Sequence, residues 1–343
     1  MADLRLSFAI TPCDRVLPLI TGEVKPDGIT LEYSEGRKGP GILYDQIKFQ
    51  RYDVSEMSVS SSLRMRSIGW PYRLLPVFHN RTFSYTSIHI RLSSGIRQGH
   101  PEDLKGKRIG ILDYQQTLGL WTRGILQAEF GVKPEEMIWY QERSERFSHT
   151  GASAAAGLVV PKSVDLRYAK TDLYTMYLNG ELDADASNYL AKGGGEADTS
   201  INRNRPDLSE NSDIVTLFAD PRREAIRFFK KTGVYPPNHT TVVRENILKE
   251  HPWVALSLMD AFKESKRIAS KRLHQMPPTL LVFGEQYLME VADVFGPDPY
   301  PYGLKANAKA FDMAQTFSVQ QGLTERKQPL DEIFADEIIN NEG

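Results

Sequence analysis

Apolar and polar positions change period along this chain, and the changes mark its elements. Leu4–Ile10 alternates, as a half-buried strand does, and Ile29–Tyr33 reads as a second strand behind the turn Pro26-Asp27-Gly28. Between them, Leu17–Gly22 reads as a short helical turn. From Ile42 to Phe49 the apolar spacing lengthens, so that Ile42, Leu43, Ile47 and Phe49 share one helical face. Strands are predicted at Tyr52–Met57 and Leu74–Phe78, with a helix from about Ser60 to Ile68 between them. Short strands alternating with helices predict βαβ units and a mostly parallel sheet.

A second unit of the same kind begins near Pro101. There PEDLKGKRIGILDY reads as a helical turn, a glycine turn and a buried strand, Arg108–Leu112. Leu118–Phe130 follows as an amphipathic helix stopped by Gly131. Arg143–Asp165 is rich in small and polar residues and is expected to be a long loop with a mobile section. Leu173–Leu178 reads as a helix, then a glycine stop and a strand through Leu182-Asp183-Ala184; 193–212 reads as loop. A third section opens with the strand Ile214–Phe218 and continues in helices near Glu224–Lys231, Pro252–Arg272, Pro278–Val294 and Ala306–Gln321.

This order predicts an α/β protein of two lobes joined by two crossings, with a small-molecule cleft between them. The first lobe is expected from 1–94 and 213–343, its last part the C-terminal helices, and the second from 95–212. Composition narrows the partner. Lys+Arg number 42 and Asp+Glu 44, a net charge of −2, so no basic excess points to nucleic acid or a membrane surface. Cys13 is the only cysteine, which excludes an intramolecular disulfide and a zinc site built from cysteines. The start MADLRLSFAITPCDR reads as a strand and not as a leader, so a cytoplasmic location is expected. The histidines at 79, 89, 100, 149, 251 and 274 form no ligand spacing, and no metal is expected.

Several segments, taken in order, carry a family likeness. They are CDRVLPLITGEVKPDGITLEY (13–33), YDVSEMSVS (52–60), PVFHNRTF (76–83) and PEDLKGKRIGILDYQQTLGLWTRGIL (101–126). LYTMYLNGELDADAS (173–187), REAIRFFKKTGVYPPNHTTVVR (223–244), HPWVALSLMDAFKESK (251–266) and PYGLKANAKAFD (301–312) continue the order. Together they resemble the 4,5-dihydroxyphthalate decarboxylase family, and the resemblance implies a type II periplasmic-binding-protein-like fold and a cytoplasmic, cofactor-independent decarboxylase of a phthalate-type acid. A solute-binding or sensory protein of the same fold, without catalysis, is the alternative. Two positions depart from the family pattern: Ser84-Tyr85 stands where Arg-His is expected, and Cys13 where a tyrosine usually precedes Asp-Arg. Tyr85 is therefore the position where a change of specificity is expected.

Decarboxylation of a hydroxylated aromatic diacid needs cations and donors for the dianion, an acid for the ring carbon, and a dry place for the leaving carboxylate. His239 is the acid candidate, because imidazole exchanges a proton near neutral pH. Glu56, an acid inside an otherwise buried strand, is the second catalytic candidate. It serves as proton donor, as acceptor from a ring hydroxyl or as the group that orients His239; the structural alternative is a pair with Arg81 or Arg51. Asp14, Arg15, Ser58, Arg81, Tyr85, Thr117, Trp121 and Arg123 are the candidates for binding a small aromatic carboxylate. Guanidinium forks fit carboxylates, and Gln116-Thr117 precedes a helix whose first N–H groups form an anion site. Each has a structural alternative: Arg15 paired with Asp14, Ser58 or Thr117 as a helix cap, Trp121 in the core, Arg123 solvated. Homo-oligomerisation is left open.

Overall fold

Two sheets form, because the chain twice collects strands of βαβ units and twice returns. The structure is a computed structural model that describes residues 3–36, 39–144, 148, 157, 159–187, 211–275 and 281–342. Residues 193–210 of the expected loop, the HTGASAAAG segment apart from Gly157, and the first residues of the helix expected from Pro278 lie outside the described residues.

The first lobe begins β1 (Leu4–Ala9), α1 (Leu17–Ile20), β2 (Ile29–Tyr33), α2 (Pro40–Phe49), β3 (Val54–Ser58), α3 (Val59–Ser67) and β4 (Tyr72–Arg81). The second contains β5 (His89–Arg91), β6 (Arg108–Ile111), α4 (Thr117–Phe130), β7 (Ile138–Gln141), β8 (Asp165–Tyr168), α5 (Leu173–Leu178), β9 (Ala184–Asp185) and β10 (Ile214–Thr216). The chain then runs through α6 (Pro221–Thr232), β11 (Pro237–Arg244), α7 (Glu245–Glu250), α8 (Val254–Gln275) and α9 (Gly284–Phe295). It ends in α10 (Leu304–Gln320), α11 (Leu330–Ile333) and α12 (Asp336–Glu342).

The first sheet has the order β2-β1-β3-β11-β4, and the second β10-β5-β9-β6-β7-β8. Pairs among β1, β2 and β3 are parallel, as the βαβ pattern predicts, while β11 is inserted antiparallel between β3 and β4. Sheet membership also moves the crossings. β5 and β10, which the sequence pattern assigned to the first lobe, pair with each other and through β9 into the second sheet.

The C-terminal helices return to the first lobe: α10 packs on α3, α12 on α8, and Phe334 bridges to Leu74 of β4. α10 also reaches α4, where Gly124 leaves room for Phe317; a Cβ there would lie 2.1 Å from the ring. Among the described residues no helix is long and apolar enough to cross a membrane.

Candidate functional site

Glu56 lies on β3, a strand whose five residues are all buried. β11 pairs with it antiparallel, bringing His239 opposite Ser58 and Thr241 opposite Glu56. Glu56 and His239 are thus diagonal neighbours on one sheet face, within side-chain reach. His239 donates Nδ1–H to Glu56 Oε1 at 2.5 Å, and the N–H of Thr11, just past β1, donates to Oε2 at 2.8 Å. Burial pushes the Glu56 acid up. The charge of His239 and its hydrogen bond, then His79 and the Thr11 contact, outweigh burial and hold it at about 2. Glu56 is therefore a carboxylate near neutral pH.

A cavity of about 360 Å³ opens beside this pair. Its floor contains Glu56, Ser58, His79, Asn80, Asn238 and His239. One wall comes from the loop after β1 and the start of α2, with Thr11, Pro12, Cys13, Pro40 and Leu43. The facing wall belongs to the second lobe, with Gln116, Thr117, Leu118 and Arg143. The lobes meet at the floor. Ser58 Oγ and Thr117 Oγ1 share a hydrogen bond of 2.7 Å, and Thr117 Oγ1 accepts from Ser60 N–H at 3.0 Å. Ser58 caps α3 by accepting from Ser61 N–H, while Gln116, and not Thr117, is the N-cap of α4.

His79 is buried on the same floor. It shares a 2.6 Å hydrogen bond between Nε2 and Thr241 Oγ1, and burial lowers its ring to about 4. It is neutral near neutral pH, so the floor holds one carboxylate between two imidazoles of different environment. Among the described residues no group of three or more His, Cys, Asp and Glu is placed to hold a metal.

Of the sequence-derived candidates, the structure brings Glu56, His239, Ser58 and Thr117 to this cavity, and not the others. Asp14 is exposed, and it and Arg15 line a separate cavity with Lys266, Tyr287 and Tyr300. Arg15 places its guanidinium carbon over the Tyr300 ring, 3.8 Å from its centre, and donates to the backbone carbonyl of His79. Arg81 donates to the carbonyls of Tyr235 and Pro301 and to Asn307, tying β4 to the C-terminal part of the chain. It does not pair with Glu56.

Arg123 is wholly buried, neither solvated nor at the cavity: it donates to Gln321 Oε1 at 2.9 Å and to Tyr114 O at 2.5 Å. Trp121 packs edge-on to Phe317 and donates Nε1–H to Pro237 O at 2.9 Å, a core and interlobe role. Tyr85 corrects the expectation of a specificity position. Its ring sits among Phe130, Phe218 and Phe228, its hydroxyl bonds Glu224, and Ser84 bonds Leu118 O. Of the two family departures, it is Cys13 that lines the cavity.

Arg143, Asn80, Asn238, His79 and Thr11 were missed by the sequence reading. Arg143 stood at the edge of a segment read as loop, yet its N–H bonds Leu112 O and its side chain is 3% exposed with Asp113 at 3.7 Å. Two asparagines flanking Arg81 and His239 in the resemblant segments were the available signal for the polar floor.

No protein-family profile matches the chain. Solved structures similar to it include the alkanesulfonate-binding protein of Xanthomonas axonopodis pv. citri bound to MOPS, at 14% identity and a TM-score of 0.54 over 97% of this chain and 98% of that one. The periplasmic aliphatic sulphonate-binding protein of Escherichia coli aligns at 14% identity and a TM-score of 0.52, covering 97% and 92%. These likenesses show the fold alone, the two-lobed binding-protein architecture. Among curated sequences, the 4,5-dihydroxyphthalate decarboxylase of Pseudomonas putida is 36% identical over 187 residues, 54% of this chain and 70% of that one. The enzyme of the same name from Comamonas testosteroni is 32% identical over 345 residues, 97% of each chain. A likeness of that extent shows that the chain belongs to the 4,5-dihydroxyphthalate decarboxylase family.

Proposed function

We propose that the protein is a non-oxidative carboxy-lyase acting on a hydroxylated aromatic acid of the phthalate type, with 4,5-dihydroxyphthalate to protocatechuate as the reference reaction. The observation that carries the reading is the Glu56–His239 pair on the floor of the interlobe cavity. In such a substrate each carboxylate has a hydroxyl para to it, and electron push from that oxygen makes the carboxylated ring carbon basic. The ring is its own electron sink, and the proposal includes no cofactor.

With Nδ1 held by Glu56, Nε2 is the nitrogen of His239 that addresses the cavity. His239 gives a proton from Nε2 to the ring carbon, forming a C–H bond. The C–C bond to the carboxylate then breaks, its electron pair restores the aromatic ring, and CO₂ leaves. Glu56 stays ionised throughout; it orients the ring and balances the positive charge that His239 carries before transfer. Asn80, Asn238 and Gln116 offer amides to ring hydroxyls, and Ser58 and Thr117 offer hydroxyls.

Incubation with a panel of hydroxylated phthalates and benzoates, following CO₂ release and thermal stabilisation together, tests the reading. CO₂ release that His239→Ala abolishes while ligand stabilisation persists is the expected result. Stabilisation of the wild type without CO₂ release supports instead a binding protein without catalysis.

A further inference from the structure

Most buried polar side chains of the interlobe cavity already have partners. Glu56 accepts from His239 and Thr11, Ser58 and Thr117 bond each other, His79 bonds Thr241, and Arg143 pairs with Asp113. Gln116 and Asn238 differ. Each is 8% exposed and lines the cavity, and among the described residues neither carboxamide makes a hydrogen bond within the protein. Asn80, the third amide of the lining, is exposed and water serves it. A buried amide without partners is destabilising, so the two are placed for a ligand and not for the fold. The backbone shows how they arrive. On β11, Pro237 stands opposite Arg81 of β4 and His239 opposite Asn80, which leaves Asn238 as the extra residue of a β-bulge. A bulge takes one residue out of the ladder and re-aims its side chain, here onto the cavity lining beside His239. Gln116 is the N-cap of α4 on the second-lobe wall, yet its side chain does not cap the helix. One amide thus comes from each lobe.

We infer that Gln116 and Asn238 are the specificity-determining residues of this site, each binding one hydroxyl of an aromatic diol, so that the diol is held from both lobes. The assignment takes from the reading above only that the ligand is a hydroxylated aromatic acid. A carboxamide presents a donor and an acceptor together, and so does a phenolic hydroxyl. A carboxylate only accepts, and would leave the amide oxygen without a donor. Glu56 is the other acceptor on the floor, but both its oxygens are already engaged. Two free amides therefore match a ring with two hydroxyls. An acid that lacks one of them strands a buried amide, and a site built to bond a hydroxyl rejects such an analogue strongly.

Calorimetric titration of wild type, Asn238→Leu and Gln116→Met with benzoate, 3-hydroxybenzoate, 4-hydroxybenzoate and 3,4-dihydroxybenzoate tests the assignment. The last is the product of the reference reaction, so it persists through the measurement. In the wild type each hydroxyl is expected to tighten binding about 10-fold or more. Each variant is expected to erase the gain from one hydroxyl and keep the other, the two variants acting on different hydroxyls. Benzoate is expected to bind both variants within about 3-fold of wild type.

A wild type that fails to bind 3,4-dihydroxybenzoate, or binds it no more tightly than benzoate, overturns the inference before any variant is made. Variants that unfold at the wild-type temperature and retain both gains, act on the same hydroxyl or weaken all four acids equally overturn it as well. Asn238→Ala and Gln116→Ala, read by the same criteria, serve where the isosteric replacement lowers the unfolding temperature. CO₂ release from 4,5-dihydroxyphthalate is followed separately. A wild type that shows this selectivity and releases no CO₂ fails the decarboxylase reading and leaves the assignment of the two amides standing.

Discussion

Glu56→Gln keeps the shape of the side chain and removes its charge. The wild-type carboxylate accepts at both oxygens, from His239 Nδ1–H at 2.5 Å and from Thr11 N–H at 2.8 Å. Burial alone would raise this acid; His239 above all, with His79 and Thr11, brings it from 4.5 to about 2. At about 1.4 kcal/mol per tenfold change, that difference is about 3 kcal/mol of folding stability. Because the folded value lies below the unfolded one, the contribution is complete above about pH 5 and disappears as pH falls toward 2. Urea unfolding should therefore find Glu56→Gln less stable by about 3 kcal/mol at pH 7, with the gap closing below about pH 4.5.

The effect on catalysis follows from hydrogen-bond polarity. Thr11 N–H needs an acceptor, so the amide oxygen turns to it and the NH₂ faces His239. A donor there removes the proton from Nδ1 and leaves a neutral ring carrying Nε2–H, which is a poor acid. The expected loss in kcat is about 10³–10⁴-fold, the scale seen when the carboxylate that orients a catalytic histidine becomes an amide. The assay is CO₂ release at saturating substrate and pH 7, with ligand stabilisation as the control for folding. A kcat within about 3-fold of wild type would refute the orienting role of Glu56. Equal stabilities at pH 7 would refute the electrostatic account.

His79 gives a second pH signature. Burial first, with Arg15 and His239 adding to it and Glu56 opposing, holds the ring at about 4 against an ordinary 6.5. The folded value is again the lower one, so stability is full above about pH 6.5 and declines by about 3 kcal/mol on the way to pH 4; denaturation of His79→Gln should lack that slope. Gly124→Ala drives a methyl group into Phe317, and a loss of about 1–3 kcal/mol is expected by thermal or urea unfolding, more than the helix propensity gained. Tyr85→Phe should cost about 1 kcal/mol, the Glu224 hydrogen bond, and leave KM unchanged. A shifted KM would return Tyr85 to the substrate.

The hydrophobic pattern located β1, β2, β3, α2 and α4 to within a residue or two, because the apolar spacing and the turn residues that bound each of them are local. It missed β11. Pro237-Asn238-His239-Thr240-Thr241 neither alternates nor runs apolar, since the strand is buried between β3 and β4 and uses its polar side chains for the site floor. The arginines were the other failure. A sequence displays a guanidinium but not where its donors go. Arg81 and Arg123 turn donors to Tyr235, Pro301, Asn307 and Gln321, all distant in the chain, and Arg123 another to Tyr114, nine residues away.

The sequence by itself determined the two-lobed α/β order, the family through segments quoted along its length, and Glu56 as an acid out of place in a buried strand. Only the tertiary structure decided what that acid does. Glu56 and His239 are 183 residues apart, and their contact exists because β11 pairs with β3 in one register. A shift of β11 by one residue against β3 would turn His239 to the face of the sheet away from Glu56. The partner of Glu56, its ionisation and the placing of Arg143, and not Arg81, on the cavity wall all follow from non-local packing, which no local pattern encodes.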